Sequence, residues 1–540
     1  MTFSTGVRVA AAGRRPQRTR RALRARCSNG TLSAALALFC ACACAVDARD
    51  PSVMTDPLNA AADDPNRGGA PPSGAPGTSS GGSTGAAASA PNSEGVATNP
   101  PIAPNGSPTA EGAAGAAIPS APAPAGPPAA TSTLGPSPFG STNLFRELIG
   151  IPEADVDARL IQATERVFGM GTNEPFTPSL GAGFRLYYEL PQDPNLAFIW
   201  SDDSSDIRSE GMAYGMMIAV QMGLQDQFDR LWNFAAAFIQ HPANDPITTW
   251  HHYFRWQGRV DTTNALNWAV TFTEDLGPAP DADAYIAAAL YLAHQRWKST
   301  GSVNYRQEAD NITAAMLRNV AAAGRTKMFD PVENQVVFYP SGASATFSNP
   351  SYHLPAFYQL FAASGSSDSP QWREIAEVSR QYLVASAHPT TGLHPDNANF
   401  DGTPNTGGSN HDLFHFDAWR VVMNMAVDYA WGTQDPRLKT QVEKYHAFFV
   451  NHIRQGNVSN ALFALDGSNP EGGSSTALTA TLASGALASE AAMRTSYIQN
   501  AWDVGQQSGL YRYYQECVYL LGLLATAGQY GYEWGAPTGG

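Results

Sequence analysis

The stretch QDQFDRLWNFAAAFI (225–239) decides the fold class. Its apolar residues Phe228, Leu231, Trp232, Ala235, Phe238 and Ile239 recur at helical spacing and line one face. Downstream, Tyr285, Ile286, Ala289, Leu290, Ala293 and Trp297 repeat that pattern. The same reading predicts helices over 305–322, 370–385, 411–431, 438–453, 476–492 and 511–527. Turn-forming runs separate them, as at His388-Pro389-Thr390-Thr391-Gly392 and Asp401-Gly402-Thr403-Pro404. Strand-like alternation is weak and local, as at 184–190. An all-α domain of helical hairpins is expected. Functional residues at the helix starts suggest closure into a barrel, although periodicity alone does not dictate closure.

Moving outward from this block, the composition changes at 139–145. Residues 139–535 are aromatic-rich and continuous, which predicts one large catalytic domain. Residues 49–138 are Ala, Gly, Ser and Pro with almost no aromatics. Such a segment cannot bury enough apolar surface to offset its ordering entropy, so a disordered tether is expected. It contains Gly77-Thr78-Ser79-Ser80-Gly81, a match to the G-x-S-x-G of serine hydrolases. With no strand before it and no helix after it, the match is chance.

Residues 1–48 read as an export signal. Arg14, Arg15, Arg18, Arg20, Arg21, Arg24 and Arg26 form a basic region, followed by an apolar run at 32–46. That run is shorter than the roughly 20 residues a spanning helix needs. An extracellular, cell-surface or periplasmic location is therefore expected. Cys42 and Cys44 each follow an alanine near the end of the run. This resembles a bacterial lipoprotein cleavage site lacking its usual leucine, and leaves lipid anchoring to a membrane open. Of five cysteines only Cys517 falls in the catalytic domain, which excludes a disulfide within it. A net charge of −14 repels phosphate backbones and argues against nucleic-acid binding. The chain is expected to act as a monomer.

Three acidic sites follow in order. Ser209-Glu210-Gly211-Met212-Ala213-Tyr214-Gly215 puts a glutamate at a helix start beside two glycines and a tyrosine. Glu210 is either a first-turn glutamate favoured by the helix dipole or a buried acid with a raised pKa. Asp281 in PAPDADAY (278–285) is either an N-cap or a carboxylate at the mouth of a cleft. Asp417 in FDAWR (416–420) reads as lying inside a helix, three residues before Arg420. The two form either a structural ion pair or a base held ionised to activate water. His411 and His415 have i, i+4 spacing but lack the glutamate of H-E-x-x-H, and His251-His252 stands apart. No metal site and no cofactor fingerprint is read. Paired carboxylates, abundant aromatics and no cofactor point to glycoside hydrolysis.

The runs DIRSEGMAYGMMIAVQM (206–222), PAPDADAY, SNPSYHLPAFYQLFA (348–362), HPTTGLHPDNANFDGTP (388–404), FDAWRV and RYYQECVYL (512–520) resemble glycoside hydrolase family 8, in the family's order. The resemblance is closest to xylan-active members, including reducing-end xylose-releasing exo-oligoxylanases. It implies an (α/α)6 barrel and an inverting mechanism on β-1,4-xylan or xylo-oligosaccharides. It implies Glu210 as general acid, Asp417 as general base, and Asp281 as the residue that binds the sugar at the cleavage point. It also implies Tyr214, Trp256, Tyr352, Arg420 and Tyr514 as substrate-subsite residues. Other β-1,4-glycans of the same family, or glycan binding without turnover, are the rival readings.

Three departures from the family pattern stand out. Phe416 takes the place of a frequent tyrosine. The stretch 259–277 is longer than usual, with Trp268 and Phe272 large enough to narrow the cleft. The Leu-His-Pro turn expected near Gly472-Gly473-Ser474-Ser475-Thr476 is absent, which leaves endo action open beside exo action.

Overall fold

A computed structural model describes residues 142–169, 185–243, 250–273, 276–319, 324–407, 410–454, 457–507, 509 and 511–531. The expected signal, the four cysteines beside it, the linker and Trp534 lie outside the described residues.

Six helices form an inner ring: α3 (Ser209–Met222), α5 (Pro280–Trp297), α7 (Pro355–Ala363), α9 (Val421–Asp428), α11 (Thr476–Ser484) and α13 (Arg512–Thr526). Each packs on the next, and α13 packs back on α3, which closes the ring. Every residue of α9 and α11 is buried, as a helix surrounded by protein requires. Helix α11 packs closely on α13. A Cβ at Gly522 would stand 2.7 Å from the backbone of Ala480, so only glycine fits there.

The intervening helices form the outer layer. These are α2 (Glu153–Phe168), α4 (Gln225–Phe234), α6 (Tyr305–Arg318), α8 (Ser369–Ala385), α10 (Pro436–Phe449) and α12 (Arg494–Asp503). Each packs against an inner neighbour, with α2 on α13. In α2, Val156, Leu160, Ala163 and Val167 form the buried stripe of an amphipathic helix. A short α1 (Leu144–Ile149) packs on α12. The result is the (α/α)6 barrel.

The strand content exceeds what the sequence pattern suggests. Strands β1 (Tyr187–Leu190), β2 (Asp193–Ser201), β3 (Asp206–Arg208), β4 (Gln257–Asp261) and β5 (Ala269–Phe272) form one antiparallel sheet in that order. Strand β3 runs straight into α3 and so aims Glu210. The long stretch 259–277 contains the β4–β5 hairpin. Trp268 packs on Phe198 with ring centroids 6.3 Å apart, and Phe272 covers the bare Cα of Gly258. Both rings pack on the sheet.

Several helices end differently from their predicted bounds. The helix expected over 411–431 is a loop to Phe416, a 3-10 turn at Asp417–Arg420, α9, and a π turn at Tyr429–Thr433. Asp417 is therefore not inside an α-helix. The stretch 476–492 stops at Ser484 and continues as a 3-10 turn through Leu487. The first helix read, 225–239, turns to π geometry at Ala235–Ile239.

Candidate active site

The starts of the inner helices carry the polar residues, and Arg420 ties them together. Its Nη1 donates to Tyr214 Oη at 2.6 Å, Asp281 Oδ2 at 2.7 Å and Glu210 Oε1 at 3.1 Å. Its Nη2 donates to Ser351 Oγ at 2.8 Å and to Asp417 Oδ1 at 3.0 Å. Four segments far apart in sequence thus meet at one buried guanidinium. A 3-10 turn eclipses residues three apart, so Asp417 and Arg420 face the same way even without an α-helix.

Glu210 lies in the first turn of α3. Tyr214, one turn on, donates to its Oε1 at 3.1 Å, and Tyr513 donates to its Oε2 at 3.1 Å. Gly211 makes room for this. A Cβ there would stand 2.9 Å from the Tyr513 ring. Asp281 lies in the first turn of α5, and the N-cap is Ala279, so the capping alternative does not hold. Asp417 Oδ2 accepts from Asn349 Nδ2 at 2.7 Å. The peptides on either side of Asp417 are clamped. Tyr514 donates to the Phe416 carbonyl at 2.8 Å, and Ala418 N–H donates to Asp396 Oδ1 at 3.1 Å.

Side-chain exposure separates the three carboxylates. Glu210 and Asp417 keep 18% and 19%, whereas Asp281 keeps 4%. The first two are open to a bound molecule, and the third is nearly sealed against Arg420. Burial raises the pKa of Glu210, Arg420 opposes the rise, and the nearby Asp417 charge adds to it. Burial also pushes Asp281 up, to about 7, against the pull of Arg420. One guanidinium faces three carboxylates, and burial works against the charged forms of Glu210 and Asp281.

Tyr352 is buried and stacks on Phe338 at 5.8 Å, and its hydroxyl feels the charges of all three carboxylates and Arg420. The Tyr514 ring lies 6.0 Å from the Arg420 guanidinium carbon. Trp256 joins through its backbone: its carbonyl accepts from Ser209 N–H at 3.0 Å, directly before Glu210. The structure thus gathers Glu210, Asp281, Asp417, Tyr214, Tyr352, Arg420 and Tyr514 into one site, with Trp256 at its border. Sequence reasoning names Tyr513 only among the aromatics near the polar sites, and misses Asn349, Ser351 and Asp396. Asn349 and Ser351 sit inside the SNPSYH motif. The signal for Tyr513 was Gly211, whose missing side chain implies a close neighbour. Among the described residues, no group of three or more His, Cys, Asp and Glu is arranged to hold a metal ion.

Residues 200–528 match the family model for glycosyl hydrolases family 8. The chain belongs to glycosyl hydrolase family 8. This family member is 35% identical over 396 residues to the reducing-end xylose-releasing exo-oligoxylanase Rex8A of Paenibacillus barcinonensis, covering 72% of this chain and 95% of that protein. It is also similar to the crystal structure of a GH8 xylobiose complex from Teredinibacter turnerae, with TM-score 0.63 and 35% identity over 72% of this chain and 97% of that one. Endoglucanase C of Ruminiclostridium cellulolyticum is more distant, at 28% identity over 64% of this chain and 68% of that protein. The chain is a glycoside hydrolase.

Proposed function

We propose that this enzyme hydrolyses β-1,4-xylosidic bonds in xylan or xylo-oligosaccharides with inversion at the anomeric carbon. The observation that carries the reading is the split among three carboxylates on one arginine, two reachable and one sealed. Glu210 acts as general acid and protonates the leaving glycosidic oxygen. Asp417 acts as general base and takes a proton from the water that attacks the opposite face of the sugar. Asp281 binds the sugar at the cleavage point and fixes Arg420. Tyr214, Trp256, Tyr352, Arg420 and Tyr514 line the subsites.

Glu210 and Asp417 bond to different Nη atoms of one guanidinium, at 3.1 and 3.0 Å. Inversion needs the two carboxyl groups about 6.5–9.5 Å apart, with the attacking water between them. Xylan rather than glucan is favoured by the exo-oligoxylanase and xylobiose-complex relatives at 35% identity, against 28% for the endoglucanase.

Internal cleavage of polymeric xylan is part of the proposal. Glu471 and its neighbours Gly472, Gly473 and Ser474 are exposed, and nothing lies within 4 Å of a Cβ built on Gly473. This exposed run of small residues supports passage of a longer chain. The basic and apolar composition of residues 1–48 supports export to the cell surface or beyond, with the anchor question left to a lipid-labelling experiment. NMR of the first product from xylohexaose tests the mechanism. Inverted α-anomer is expected at the new reducing end, and initial β-anomer would refute the proposed roles.

A further inference from the structure

Behind the proposed base lies a carboxylate with no assigned role. Asp396 is 2% exposed and comes from the loop after α8, 21 positions before Asp417. Its Oδ1 accepts the Ala418 N–H at 3.1 Å, the amide directly after the base. Its Oδ2 stands 3.7 Å from His411 Nδ1. Backbone bonds lock this arrangement: Asp396 N–H donates to the Leu413 carbonyl at 2.9 Å, and Asn397 N–H to the His411 carbonyl at 2.7 Å. The titratable groups facing Asp396 are His411 and Asp417, with Tyr514 across on α13.

Asp417 has two donor-only partners, Arg420 and Asn349. Both donate to its carboxylate oxygens. Asp396 sets a second carboxylate on the same turn. We propose that Asp396 is a positioning residue for Asp417: it fixes the turn that carries the base and sets an opposing negative charge that keeps the base strong enough to deprotonate water. This inference rests on the reading of Asp417 as general base. Burial and the Asp417 charge raise the pKa of Asp396, His411 and the Ala418 amide lower it, and the balance lies at about 6, so the group is mostly charged at pH 7.

Asp396→Asn tests this, because the amide oxygen can still accept the Ala418 N–H while the charge is lost. Asp396→Ser, a smaller uncharged acceptor, is carried in parallel in case the first variant does not fold. On xylohexaose, kcat should fall about three- to ten-fold with KM little changed. The acidic limb of the kcat/KM profile should move down by about one pH unit, because a carboxylate relieved of a negative neighbour holds its proton less tightly. A folded variant with unchanged kcat and unchanged profile would overturn the proposal and leave Asp396 as a structural cap. Asp417→Asn is measured alongside. Its retention of turnover would overturn the base reading and this inference with it. An inactive Asp417→Asn beside an unaltered Asp396→Asn would overturn this inference alone.

Discussion

The two ends of the site are built in contrasting ways. Glu210 sits on a regular helix start, and apart from Arg420 its hydrogen-bond partners are hydroxyls, Tyr214 and Tyr513. Asp417 sits on a 3-10 turn between clamped peptides, and its partners are the donor-only groups of Asn349 and Arg420. A tyrosine hydroxyl can donate or accept, so it tolerates the carboxyl in either protonation state. An amide NH2 or a guanidinium can only donate, so it suits the anion alone. The acid is free to hold and release a proton, and the base is held ready to take one. Partner chemistry, more than burial, separates the roles, since the two side chains are almost equally exposed.

Breaking the link between the two ends should have the largest effect. Arg420→Lys keeps the charge but loses the planar fork that reaches five oxygens. Turnover on xylohexaose should fall by at least about 10³-fold, in the range of losing an acid–base group outright. Stability to denaturant should drop by about 3–5 kcal/mol, as for a buried pair losing a partner. Loss of less than ten-fold in turnover would contradict the central place given to Arg420.

A smaller, sharper effect is expected at the acid end. The Tyr513 hydroxyl lowers the pKa of Glu210, so Tyr513→Phe should raise it. The basic limb of the kcat/KM profile should move to higher pH, with kcat down by about three- to ten-fold. Movement to lower pH would show that the hydroxyl favours the protonated form instead.

How legible each end was follows from the same contrast. Glu210 could be read because a glutamate at a regular helix start keeps the spacing that periodicity detects. Gly211 and Gly215 beside it marked close packing. Asp417 was placed in a helix because Phe414, Phe416 and Trp419 mimic an apolar stripe, whereas those rings belong to an irregular loop and a 3-10 turn. Ring closure was not legible, because it arises from contacts between helices distant in sequence, such as α13 on α3. The five-stranded sheet was hidden for a related reason. Strand β3 is three residues long, too short for alternation to register, and β2 is buried continuously from Ala197 to Ser201, so it does not alternate. Asn349 and Asp396 escaped notice because neither residue type in a loop announces a partner elsewhere.

The smallest effect concerns the scaffold on the base side. His353 directly follows Tyr352, and His394 lies two residues before Asp396. Both are buried, and burial lowers their pKa from 6.5 to about 3 and about 4. The unfolded chain therefore binds these protons first as the pH falls. Their contribution is fully present above about pH 6.5 and is lost progressively toward pH 4 and below. Over that window hydrogen exchange, corrected for intrinsic rates, should speed up around 348–354 and 393–397 before it does so in α3. Protection there that holds from pH 7 to pH 4 as well as in α3 would sink this expectation.

The most direct test of the division of labour varies the leaving group. A general acid matters when the departing oxygen needs a proton and matters little when it leaves readily as an anion. Glu210→Gln and Asp417→Asn should each lose about 10²–10⁴-fold on xylohexaose. On a dinitrophenyl β-xylobioside, Glu210→Gln should recover to within about ten-fold of the unaltered enzyme, while Asp417→Asn should remain as impaired as before. Recovery of Asp417→Asn in place of Glu210→Gln would reverse the assignment, and recovery of both or neither would contradict it.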